Sequence, residues 1–140
     1  MAALAQDIVR PFWSLPEVAP NDIHTQKQNT ILYQGAVAVQ VAGKAQPAAS
    51  GVVGQTILGV AIKHSEAPST GDVVYADPDA LVFHRGAFYF DMLAGDLPTE
   101  ALIGKQVYFA DDNTVKATAA ANDVSGILRK IVDGQAVVEI

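Results

Sequence analysis

The stretch "SGILRKIVDGQAVVEI", residues 125–140, decides how the chain is read. Asp133-Gly134 lies between two apolar runs rich in β-branched residues. A two-residue type I′ turn needs positive φ at both central positions, which this pair accommodates. Pairing Val132 with Gln135 across the turn places Ile127, Ile131, Ala136, Val138 and Ile140 on one face, with Lys130 and Glu139 diagonal on the other. The segment therefore reads as an antiparallel hairpin with one face for a core.

Upstream, the same period of two returns between turn formers. In "ILYQGAVAVQV", residues 31–41, the large side chains Ile31, Tyr33, Val37, Val39 and Val41 fall on odd positions, which predicts one half-buried strand. "GKAQPAASG" reads as a small-residue loop, and "VVGQTILGVAIK" as a strand with Leu58, Val60 and Ile62 on one face around Gly59. "VVYA", "ALVF" and "GAFYF" read as further strands, separated by Asp77, Pro78, Asp79 and by Arg85, Gly86. One short helical turn is expected in "GDLPTEALIGK", with Asp96 as cap, Pro98 in the first turn and Gly104 as stop. Residues 71–82 and 104–115 align without gaps at Gly, Val, Tyr, Asp and Val, either as a duplication or as two ordinary Gly-strand-turn-strand units, and both are expected to be hairpins. The fold class is all-β: a small barrel or sandwich with at most one or two short helical turns.

Composition narrows the function. A net charge of -6 with nine scattered Lys and Arg disfavours binding to nucleic acid, which needs clustered cations against phosphates. The absence of Cys removes disulfides and thiolate chemistry. The first residues lack a basic region and an apolar run of signal-sequence length, and no stretch approaches the ~20 apolar residues of a membrane span. The expectation is a chain that is soluble when made and has no membrane partner.

Residues 1–28 differ from the rest. "RPFWSLPEVAP" sets Phe12 and Trp13, the chain's single Trp, among prolines at positions 11, 16 and 20, where regular hydrogen bonding fails. A disordered tail would be polar, yet this one carries Phe12, Trp13, Leu15 and Val18. It either folds back on its own body or docks on a partner, its stiffness reducing the entropy lost on binding. The docking reading is preferred: an extended arm over residues 1–28, a body over residues 29–140, and Phe12, Trp13, Leu15 and Val18 as partner-binding residues.

Patterns for chemistry are weaker. His24, His64 and His84 show no spacing that would put two metal ligands on one face. His64 with Glu66 resembles a base and its orienter, but no nucleophile motif accompanies them. Asp77/Asp79 and Asp111/Asp112 suit tight turns, and whether they hold a cation is open. The glycines of "GVVGQTILG" lack the context of a phosphate loop and suit bulges. Phe83, Phe88, Tyr89 and Phe90 read as core on one face rather than as a stacking platform for nucleic acid. No catalytic residue, metal or cofactor is expected.

From about Ile31 to Ile140 the chain resembles the small β-rich capsid decoration, or cement, proteins of tailed bacteriophages. The carriers are Gly59–Ala61, the Gly-Asp-x-Val unit from Gly71 to Tyr75, the Gly-x-x-Val-Tyr unit from Gly104 to Tyr108, and the terminal Gly-Ile-Leu strand followed by Ala-Val-Val-Glu-Ile. The resemblance implies a non-enzymatic protein, made in the host cytoplasm and placed on the outer surface of the virion head. There it would bridge major capsid subunits, self-associated as a homotrimer or dimer. The alternatives are a β-rich receptor- or glycan-binding head or fibre module and, from another class, a small hydrolase. A hydrolase requires a pocket with convergent polar groups, and a cement protein a broad apolar interface.

Overall fold

The computed structural model describes residues 3–19, 22–77 and 79–140; Pro20 and the turn assigned to Pro78 lie outside them. The chain is all-β. Its strands in order are β1 (Glu17–Val18), β2 (Thr25–Gln26), β3 (Thr30–Leu32), β4 (Val37–Val41), β5 (Lys44–Pro47), β6 (Thr56–Ala61) and β7 (Ser65–Ala67). They continue as β8 (Val73–Val74), β9 (Phe83–Arg85), β10 (Ala87–Met92), β11 (Gln106–Phe109), β12 (Thr114–Lys116), β13 (Ser125–Val132) and β14 (Gln135–Glu139).

β10, β12, β11, β13 and β14 close into a barrel, with β10 and β12 its one parallel pair. The other strands form a sheet in the order β1-β9-β6-β4-β5-β2-β8 and a small β3-β7 pair. Phe88, Phe90, Phe109, Val107, Leu128 and Val138 fill the barrel together with Val37, Val39 and Val60 from the sheet. Phe90 meets Phe109 edge-on at 5.1 Å. The sheet's opposite face buries Ala38, Leu58, Ala61 and Phe83 with Leu32 and Leu81. β4 is thus covered on both sides, and its side chains from Val37 to Val39 are fully buried.

The terminal hairpin forms at Asp133 (φ 50°) and Gly134 (φ 76°), with Val132 opposite Gln135. A register shift between Leu128 and Lys130 changes the face that points inward, so that Leu128 rather than Ile127 joins Ala136 and Val138 in the core. Glu139 pairs with Arg129 at 3.0 Å instead of lying diagonal to Lys130.

Several local expectations are corrected. Residues 31–41 are two strands, because the chain turns at Gly35 (φ 92°); Leu32 is buried and Ile31 is exposed. A bulge beside Gly59 pairs Ala38 with Gly59 but Val39 with Ile57, which sends Leu58 and Val60 into different cores. The small-residue loop contains β5, joined to β4 by Ala42 (φ 51°) and Gly43 (φ 80°). Residues 104–115 do contain a hairpin, β11 with β12, but in residues 71–82 β8 pairs with β2 instead. The helical turn is a 3₁₀ turn over Glu100–Leu102 capped at Thr99, while the Asp96 carboxylate accepts the backbone N–H and hydroxyl of Thr118. Asp77 and Asp111 do close turns, each accepting the N–H two residues on.

The boundary at residue 28 is crossed by hydrogen bonds. β1 pairs with β9, and β2 lies between β5 and β8. Gln26 is fully buried, donating to the Ser65 carbonyl and accepting from the Tyr75 hydroxyl. The opening segment is laid along the body rather than standing free of it.

A candidate docking strip on the N-terminal strap

Residues 3–19 run as a strap across the seam between barrel and sheet. Prolines at 11 and 16 keep the strap from forming a regular ladder, so it is fastened at separate points. Ile8 N–H donates to the Gln34 carbonyl, Tyr89 N–H to Pro11, Trp13 N–H to Ala87, and Ala19 N–H to Phe83, all between 2.7 and 3.0 Å. Phe12 bridges antiparallel to Phe88. Two glycines admit this approach. A Cβ on Gly35 would collide with the Ile8 side chain and come within 2.9 Å of its carbonyl oxygen, and one on Gly86 would stand 3.2 Å from Pro16 Cα.

The strap's inner side is polar at one point. Arg10, only 7% exposed, reaches the mouth of the barrel with its guanidinium 4.5 Å above the Phe90 ring. It donates to the Gly35 carbonyl at 2.6 Å, the Tyr89 carbonyl at 2.7 Å and Asn113 Oδ1 at 2.7 Å. Desolvation pulls its pKa down to about 10, against the attraction of Asp112, Asp91 and Asp111. Asp112, 3% exposed, accepts the Leu4 N–H at 2.9 Å, and burial pushes its carboxyl up to about 6. Arg10 gave no sequence signal beyond being a lone cation ahead of Pro-Phe-Trp.

Among the strap's exposed residues, which include Gln6, Asp7, Ser14 and Glu17, are five large apolar ones. Phe12 and Trp13 are each 51% exposed, Leu15 83% and Val18 64%; Val9, unmarked by the sequence reading, adds 83%. The four expected partner-binding residues thus share one segment. The other large exposed apolar side chains, such as Val53, Val74 and Leu97, are scattered through the chain. Beside the strip a groove of about 220 Å³ opens between Ile8, Phe12 and Pro16 on the strap and Val60, Ile62 and Phe88 on the body. Exposed apolar side chains gathered on one rigid segment are the usual signature of an interaction site.

A second group of titratable side chains meets the strap at Asp7. His64 Nδ1 lies 2.8 Å from Asp7 and Nε2 lies 3.0 Å from Glu66. The hydrogen bond to Glu66, then that to Asp7, raises the imidazole pKa, and the same contact lowers that of Asp7. The carboxylates occupy opposite edges of the ring, so they cannot converge with it on one ion. Among the described residues no group of three or more His, Asp or Glu could hold a metal, and no helix is long and apolar enough to cross a membrane. No protein-family model, curated protein or solved structure matches the chain.

Proposed function

We propose that the protein is a structural, non-enzymatic docking protein of the capsid-decoration type, attached as a homo-oligomer to the outer surface of a tailed-phage head. There it strengthens contacts between major capsid subunits. One observation carries the reading: Val9, Phe12, Trp13, Leu15 and Val18 project from a strap whose backbone is already tied to a β body. Aromatic anchors held this way lose little conformational freedom on binding, so more of their burial survives as affinity. The resemblance carried by Gly59–Ala61, Gly71–Tyr75 and Gly104–Tyr108 supplies the partner.

The test is co-sedimentation of the purified protein with decoration-free phage heads, beside light scattering of the protein alone. The expected result is saturable binding, a mass above that of the monomer, and at least ~30-fold weaker attachment for Trp13→Ala with Leu15→Asp, the equivalent of ~2 kcal/mol. Absence of binding at high micromolar concentration, or unchanged binding of a correctly folded double variant, overturns the proposal.

A further inference from the structure

We propose that the leading part of the strap is a proton-operated latch, fastened by the Asp7–His64–Glu66 bridge, that loosens as the solution becomes more alkaline. The geometry of the bridge carries the argument. Both imidazole nitrogens of His64 face carboxylate oxygens, at 2.8 and 3.0 Å. Only the protonated ring has two N–H donors, so a neutral ring must set a lone pair against one carboxylate. No tautomer keeps both arms.

The groups around the ring are few. Asp7 comes from the strap, Glu66 from β7, and the Tyr33 ring meets His64 edge-on at 5.4 Å. The neighbouring Lys63 gives its ammonium to the Asp79 carbonyl. Asp7 also accepts the Gln34 N–H, next to the point where Gln34 receives Ile8. Deprotonation leaves the Asp7 arm a neutral bond at best, made by the Nδ1–H tautomer alone, and so loosens the strap beside its first backbone tie.

The strap is also held at Asp112, in a different sense. Asp112 is buried beneath Leu4; Arg10 faces it from the strap, and Asp111 from its own turn. Arg10 also feels Asp91 on β10. Burial raises the pKa of the Asp112 carboxyl, whereas the Leu4 N–H and the Arg10 charge favour its ionised form, so these two strap contacts do not loosen as pH rises. His64 has a raised pKa, so the bridge is fastened while the ring is protonated and weakens as pH rises through that value.

Hydrogen exchange of the intact protein tests this, comparing amides 4–13 with the β13–β14 hairpin between pH 5.5 and 8.5 after correction for intrinsic rates. Protection of the strap should fall at least ~10-fold while the hairpin holds. His64→Gln, whose side chain takes no proton, should abolish the fall. Strap protection constant within twofold, an equal fall in the hairpin, or a full fall in His64→Gln overturns the latch. The readout uses no partner, so its failure leaves the docking reading standing.

Discussion

Replacing Arg10 with Ala removes three hydrogen bonds from a charged donor and the guanidinium stacked on Phe90. Bonds to a charged group contribute about 1.5–3 kcal/mol each, but they are not additive, and the variant no longer has to desolvate a cation. Deleting one member of a buried charged network typically costs about 3–5 kcal/mol, and that is the expected loss here. For a chain of this length it corresponds to a melting temperature lower by roughly 10–15 °C. The loss should be larger at pH 8 than at pH 5, since Asp91, Asp111 and Asp112 lose their counter-charge and Asp112 is protonated only at the lower pH. Thermal denaturation followed by circular dichroism at both pH values measures it. A drop below about 3 °C would refute the reasoning and show that the strap's inner side adds nothing to the core. By the same argument, removal of residues 1–20 should lower the melting temperature markedly, whereas a freely hanging arm would leave it near normal.

Gly134→Val should cost about 1–2 kcal/mol through positive φ alone, because nothing lies within 4 Å of the added Cβ; unchanged melting would disprove the turn. Gly35→Ala combines φ 92° with a collision against Ile8, so proteolysis within residues 3–13 should accelerate several-fold before global unfolding changes, and an unaltered cleavage pattern would refute the fit. Asp7, Asp72 and Asp123 have lowered pKa values: His64 and Lys44 hold the first two, and Lys116 with the Ala120 and Gly51 N–H groups outweighs burial at the third. Their stabilisation is present above the ordinary value of 3.8 and fades as pH falls through the lowered values, so denaturant midpoints should drop below pH 4.

Local chemistry was legible wherever the residue itself announces the backbone. Asp133-Gly134 gave the terminal turn and its register, and the alternation of Phe88 and Phe90 gave the barrel interior. At Ala42-Gly43 the backbone makes the same two-residue, positive-φ connection, but Ala carries no turn preference, and β5 was read as loop. Bulges at Gly59 and between Leu128 and Lys130 put residues on their two sides out of phase, so correct periodicity on one side assigns Leu58, Val60 and Ile127 to the wrong neighbours. In the candidate site, Phe12, Trp13, Leu15 and Val18 stood out by composition, whereas Arg10 and Val9 did not, since their roles depend on which side of the strap meets the body.

By itself the sequence determined the class: short strands punctuated by Gly, Asp and Pro can satisfy their backbone groups only by pairing with one another, and an apolar, proline-broken segment can be ordered only by lying on a surface. Which strands pair, and on what the segment lies, belong to the tertiary structure. Closing β10 to β14 into a barrel leaves a mouth above Phe90, and a single cation, Arg10, fills it with the partners that Gly35, Tyr89 and Asn113 bring from three distant parts of the chain. That long-range convergence turns Arg10 inward and leaves Phe12 and Trp13 half exposed, a division that no local pattern encodes.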